Sequence, residues 1–198
     1  MRSLLVSQRV DAHPGRQERR DALDQRLCRF LLACGYLPVP VPNVPECARE
    51  IWDAVRPEGV LLSGGNDLLA LGGDTPEREA TETLLLDLAA HHGAPVFGIC
   101  HGLQLLAQRG GATLSALQGH VANRHELAGE VRREVNSFHQ WGILALGEGW
   151  EALARAQDQS IEFACCRRAR QWGIMWHPER EGTIAPEDVA LVRQALAR

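Results

Sequence analysis

The chain has 198 residues, 45% of them hydrophobic, with 21 basic and 25 acidic side chains and a formal net charge of −4. That length suits one domain with a substantial core, and the slightly acidic balance argues against nucleic acid or a membrane surface as partner. The opening Met1-Arg2-Ser3-Leu4-Leu5-Val6-Ser7 is too short an apolar stretch for an export signal or a membrane span. The default expectation is therefore cytoplasmic, a reducing compartment in which six cysteines do not read as a disulfide framework.

In chain order, apolar runs at 3–7, 36–41, 59–63 and 95–99 read as strands, and helical patterns at about 16–33, 44–55 and 76–92 lie between them. Gly35 ends the first helix, and Pro76 sits where a first helical turn tolerates proline. Strand and helix alternating at this spacing predict a parallel sheet covered on both faces. Beyond Gly110-Gly111 the pattern changes to short strand-like pieces at 131–138, 143–146, 161–165 and 171–176, which suit hairpins or an antiparallel edge, and a last helix is expected over 186–196. The expected architecture is an α/β single domain over residues 1–198, with a mostly parallel central sheet flanked by helices and an added antiparallel edge.

Gly98-Ile99-Cys100-His101-Gly102 lies at the junction of a buried strand and the helix that starts on the next residue. Glycines two before and two after Cys100 permit a sharp turn, and the helix N-terminus favours a thiolate there. Such a nucleophile needs a base, a group that orients the base, and donors for an oxyanion. The strand-like Trp172–Trp176 run leads into His177-Pro178-Glu179, where residues two apart on extended chain project to one side, so Glu179 can orient His177 toward Cys100. The strand Val60-Leu61-Leu62 ends in Ser63-Gly64-Gly65-Asn66-Asp67 at the same edge of a parallel sheet. A backbone N–H of Gly64 or Gly65, with that of His101, would form an oxyanion hole, and sequence does not say which glycine donates.

Other polar residues carry weaker signals. Val135-Asn136-Ser137-Phe138-His139 lines a pocket or caps an edge, and Gln104 faces substrate or solvent. His120 and His125, five apart near Asn123, match neither one helix face nor a zinc pattern, so a structural or solvated role is favoured over a metal. Arg16, Arg19, Arg20, Arg132 and Arg133 read mainly as solvated charge. Cys28, Cys34 and Cys47 read as core or boundary residues, and Cys165-Cys166 would point to opposite faces of a strand.

Taken together, Gly98-Ile99-Cys100-His101-Gly102-Leu103-Gln104, His177-Pro178-Glu179 and Ser63-Gly64-Gly65-Asn66-Asp67 resemble the class I glutamine amidotransferases, and more closely their free-standing γ-glutamyl hydrolase branch, the C26-type cysteine peptidases. The resemblance implies a flavodoxin-like fold, a Cys100–His177–Glu179 triad, a γ-glutamyl thioester, and an oxyanion hole from Gly64-Gly65 and His101. It also implies glutamyl contacts from Gln104 and from the Val-Asn-Ser-x-His segment at Asn136, Ser137 and His139; no cofactor and no metal are expected. A narrower likeness runs through Ser7-Gln8-Arg9, the 20–26 segment, Gly64-Gly65-Asn66-Asp67-Leu68 and the 175–181 segment. It is to a subgroup linked to capsule phosphoramidate synthesis, which removes glutamate from a γ-glutamyl phosphoramidate of a cytidine nucleotide. That likeness implies Asn66 at the substrate and Arg9, Arg20 or Arg180 at a phosphate; one departure from it is His101, where the subgroup often carries arginine. The expected activity is hydrolysis of a γ-glutamyl amide on a small molecule. The alternative is a glutaminase subunit that delivers ammonia to a separate synthetase, and a non-enzymatic binding role is disfavoured by the intact Cys, His and Glu.

Overall fold

The computed structural model describes residues 2–197. The chain runs β1 (Arg2–Val6), β2 (Arg9–His13), β3 (Glu18–Ala22), α1 (Gln25–Ala33), β4 (Tyr36–Pro40), α2 (Pro45–Val55), β5 (Gly59–Leu62), α3 (Pro76–His92), β6 (Val96–Ile99) and α4 (His101–Arg109). It continues with β7 (Thr113–Ala116), β8 (Val121–Gly129), β9 (Glu134–Phe138), β10 (Trp141–Ala145), β11 (Glu151–Ala156), β12 (Ile161–Cys166), β13 (Gln171–Ile174) and α5 (Pro186–Ala195).

An 11-stranded sheet has the order β4-β1-β5-β6-β13-β12-β11-β8-β9, with β10 and β7 branching from β12. The pairs β4–β1, β1–β5, β5–β6 and β6–β13 are parallel, and from β12 outward every pair is antiparallel. The central sheet and its antiparallel edge are therefore as the sequence implies. Alternate residues of the parallel strands feed two cores. Leu4, Val6, Leu61 and Phe97 pack under α1 and α5, whereas Leu5, Val60, Leu62 and Val96 pack under α2, α3 and α4. Burial on both faces is why these strands read as unbroken apolar runs. No helix among the described residues is long and apolar enough to cross a membrane.

One expected helix holds over only its second half. Residues 16–33 hold a helix only from Gln25, because the preceding stretch is the β2–β3 hairpin. Its turn is built on Pro14-Gly15 with Gln17 at φ 54°, and Pro-Gly is a turn signal. The helix begins where Asp24 caps it, its Oδ1 accepting the Arg26 backbone N–H at 2.9 Å. The strands β7, β8 and β11 were not anticipated, and β9 starts at Glu134 rather than at 131. Cys165 is buried and Cys166 partly exposed, as expected for opposite faces, whereas Cys47 is exposed rather than a boundary residue.

Candidate active site

β6 delivers Cys100 to the C-terminal edge of the parallel strands, and α4 begins on the next residue. Cys100 has φ 52° and ψ −104°, a conformation that costs a residue with a Cβ about 1–3 kcal/mol. Three neighbouring stretches hold it. The Cys100 N–H donates to the Ile174 carbonyl at 2.7 Å, and the Cys100 carbonyl accepts from the Gln104 N–H at 2.9 Å. A Cβ at Gly98 would strike the backbone of Gly102 and Leu103, and one at Gly102 would strike the Leu62 carbonyl, so both glycines are required by close backbone approach.

His177 follows β13 through Met175-Trp176. Its backbone N–H donates to Asn136 Oδ1 at 2.9 Å and its carbonyl accepts from Asn136 Nδ2 at 2.8 Å, so Asn136 clamps His177 from β9. His177 Nδ1 donates to Glu179 Oε1 at 2.7 Å, which leaves Nε2 free to exchange a proton with Cys100 across their shared cavity. Burial opposes protonation of His177, yet the partners Cys100 and Glu179 raise it to about 9. Burial likewise pushes the Cys100 thiol up, and it is more than offset by His177, by the charge of His139 and by the His101 backbone N–H, so the thiol lies below its ordinary range. His177 and Cys100 thus favour an imidazolium–thiolate pair.

The loop after β5 faces this pair. A Cβ on Gly64 would sit 2.6 Å from His177 Cε1, and Gly65 has φ 91°. Arg78, fully buried on α3, donates to the carbonyls of Ser63 (2.6 Å), Gly64 (3.4 Å) and Gly65. With the carbonyls of three successive residues turned toward one guanidinium, the peptide N–H groups of the loop are free to face the other way. Glu82, one turn further along α3, accepts from Arg78 Nε at 3.0 Å and from Ser7 Oγ at 2.7 Å, and meets His101 Nε2 at 2.9 Å. Burial alone would raise the Glu82 carboxyl, but Arg78 and His101 hold it at about 2. His101 Nδ1 is 3.1 Å from the Asn66 carbonyl, so this side chain points into the network below the loop and not toward a substrate.

A cavity of about 370 Å³ opens over Cys100, with Gly65, Asn66, Gln104, His139, His177 and Arg180 among its lining. A neighbouring cavity of about 310 Å³ shares His177 and Arg180 and adds Arg9, Gly64 and Glu179. Arg180 stands between them with its guanidinium 4.8 Å from the centre of the Phe138 ring, a cation–π distance. A larger space of about 520 Å³ beside Trp52, Arg56 and His92 lies at the N-terminal ends of β5 and β6 and holds none of this chemistry.

The structure therefore brings Cys100, His177, Glu179, Gly64, Gly65 and the His101 backbone together, with Gln104, His139, Asn66, Arg9 and Arg180 around them. Several of these side chains are already engaged. Gln104 Nε2 donates to the Trp141 carbonyl at 2.8 Å, and the Asn66 amide pairs with both backbone groups of Val10. Asn136 holds His177, and Ser137 Oγ is fully buried and donates to the His120 carbonyl at 2.6 Å; neither side chain borders the two cavities. Arg20 sits on the exposed strand β3, paired with Glu18, outside both cavities. Sequence reasoning missed Arg78, Glu82 and Ser7. The signal was present, because 78, 82, 85 and 89 share one helical stripe, so two charges occupy its buried face.

Residues 19–197 match the family model for the class I glutamine amidotransferases. The chain is 32% identical over 129 residues to the γ-glutamyl-CDP-amidate hydrolase of Campylobacter jejuni, covering 64% of each chain. It is 31% identical over 143 residues to one subunit of the glutamine-hydrolysing GMP synthase of Haloquadratum walsbyi, covering 67% of this chain and 71% of that one. A solved structure of a Thermoplasma acidophilum protein, described provisionally as the corresponding GMP synthase subunit, superposes with a TM-score of 0.71 at 17% identity, over 99% of this chain and 93% of that one. That likeness bears on the fold.

Proposed function

The chain belongs to the class I glutamine amidotransferase family, whose chemistry is cleavage of C–N amide bonds, and on that premise we propose that it hydrolyses a γ-glutamyl amide with Cys100 as nucleophile. The observation that carries this reading is Cys100 at the end of the parallel strands sharing one cavity with His177, whose Nδ1 is held by Glu179 at 2.7 Å. The Cys100 thiolate attacks the side-chain carbonyl of the glutamyl group, forming a C–S bond and an oxyanion. Gly65 shares the Cys100 cavity, so its backbone N–H with that of His101 supplies the donors; losing one such donor typically costs about 10²–10³ in rate. The C–N bond then breaks as the His177 imidazolium gives its proton to the departing nitrogen. His177 next takes a proton from water, which cleaves the thioester and returns glutamate and free Cys100.

For the leaving group we propose a nucleotide phosphoramidate. The name of the Campylobacter relative supports it, and so does the second cavity beside His177, lined by Arg180 and by Arg9; Arg9 is paired with Asp11 and would exchange that carboxylate for a phosphate oxygen. The similarity to the GMP synthase relative favours a second reading, in which glutamine is the substrate and a synthetase takes the ammonia. Glutamate release by the isolated chain separates the two. The first expects rapid release from γ-glutamyl-CDP-amidate and slow release from glutamine. Turnover of glutamine alone, stimulated by an added synthetase, would establish the second, and no release from either would overturn both.

A further inference from the structure

The structure brings together a second set of side chains that the proposed reaction does not use. His120 precedes β8, His125 lies on β8, and Glu162 lies on β12, a fully buried carboxylate in an apolar strand. One ligand atom from each lies within 4.8 Å of the other two. His120 Nδ1 is 3.7 Å from Glu162 Oε1, and His125 Nε2 is 3.4 Å from Glu162 Oε2. All four of these atoms are buried without a hydrogen-bond partner. We propose that His120, His125 and Glu162 bind one divalent transition-metal ion of the zinc type, in a site that ties β8 to β12 within the antiparallel edge of the sheet.

Proton placement is the first argument. His120 Nε2 lies 2.9 Å from Asp158 Oδ2, and Asp158 is held in turn by Ser160 Oγ at 2.7 Å. An ionised carboxylate only accepts, so Nε2 carries a proton, and in the neutral imidazole, the form that binds a metal, Nδ1 presents its lone pair toward Glu162. Unpartnered buried polar atoms facing one another are costly, and a cation between them removes the cost. A proton on His139, whose Nε2 is 3.3 Å from Glu162 Oε1, neutralises the carboxylate but leaves His120 Nδ1 and His125 Nε2 unpartnered.

Ligand chemistry is the second argument. Two imidazole nitrogens and one carboxylate suit zinc, whereas magnesium and calcium take oxygen ligands. Donors about 2.1 Å from a tetrahedral ion lie about 3.4 Å apart, close to the imidazole–carboxylate separations here. Carboxylate–histidine–metal is also the usual outer arrangement of such sites, with Asp158 in the outer place. The consequence reaches the cavity, because the His120 carbonyl receives both Ser137 Oγ and the His139 N–H. An ion at His120 would thereby fix the 137–139 wall beside Cys100.

The test uses the untagged full chain, stripped with chelator and titrated with Zn²⁺, with bound metal counted by mass spectrometry and thermal unfolding followed alongside. The expected result is about one zinc per chain with a raised unfolding midpoint, and a Co²⁺ derivative with the intense visible bands of low coordination. His125→Ala and Glu162→Gln should each weaken binding by at least tenfold, and Asp158→Asn by about 10-fold or more. Cys100→Ala should leave it unchanged. The two ligand variants are independent, so failure of Glu162→Gln to fold leaves His125→Ala as the test. Absence of stoichiometric zinc in the unaltered chain would overturn the proposal in favour of a histidine cluster held by protons. So would binding that is lost in Cys100→Ala and kept in His125→Ala, which would put the metal on the nucleophile instead.

Discussion

Replacing Glu82 by glutamine isolates the buried scaffold under the Ser63-Gly64-Gly65 loop. In the folded chain the carboxyl is fully buried and held at about 2, against an ordinary 4.5, by Arg78 and His101. A folded value below the unfolded one means that the unfolded chain takes up the proton more readily. The ionised group therefore stabilises the fold above about pH 4.5, and that contribution disappears as the pH falls toward 2. The difference is worth about 3 kcal/mol at neutral pH. Breaking a buried ion pair by removing one partner typically costs about 3–5 kcal/mol, since the Arg78 guanidinium would remain buried without a counter-charge. Urea unfolding at pH 7 should then find Glu82→Gln about 3 kcal/mol less stable than the unaltered chain. Between pH 7 and pH 3 the gap should narrow by about 2 kcal/mol. A variant within about 0.5 kcal/mol of the parent at pH 7, or a gap that stays constant down to pH 3, would refute the reasoning.

Three further outcomes follow from the catalytic geometry. The pH–rate profile should fall on its alkaline side near 9, because His177, raised to about 9, keeps its proton below that value and loses it above; activity still climbing at pH 10 would contradict an imidazolium–thiolate pair. Glu179→Gln should lower kcat by up to about 10⁴ with little change in KM, measured as glutamate release, because Nδ1 loses its charged acceptor. Gly64→Ala should lower kcat by about 10² with the fold intact by circular dichroism, because the new methyl would lie 2.6 Å from His177 Cε1 and displace the ring; undiminished turnover would mean that the ring has room to move.

How much of this was legible in the sequence depended on the range of the interaction. The elbow at Cys100, the Gly64-Gly65 turn and the His177-Pro178-Glu179 run are local signals, each written in consecutive residues, and all three converge. The β2–β3 hairpin is missed because the helical period of 25–33 is extended backward through Arg19 and Arg20 as far as the Pro14-Gly15 turn. Arg78 and Glu82 were overlooked because their partners, Ser7, Ser63 and His101, come from three other elements. His120 and His125 gave no metal signal because their spacing means nothing until β12 brings Glu162 between them. Asn136 and Ser137 were expected at the substrate, but their polar groups are taken up by His177 and His120, a distinction set by side-chain direction and not by position along the chain.

The left-handed conformation of Cys100 makes the reactivity of this thiol a gauge of native packing. It is imposed from outside, by the strand ending at Ile174, the carbonyl of Leu62 and the turn at Gly102. If any of these contacts loosens, the residue relaxes to ordinary backbone, leaves the start of its helix and loses His177. The sulfur then reverts to an unremarkable thiol with a pKa near 8.5. A partly unfolded copy of the chain thus loses the thiolate favoured beside His177, and the pH dependence of alkylation at Cys100, resolved by peptide mapping from the other five free cysteines, distinguishes molecules that keep these contacts from those that do not.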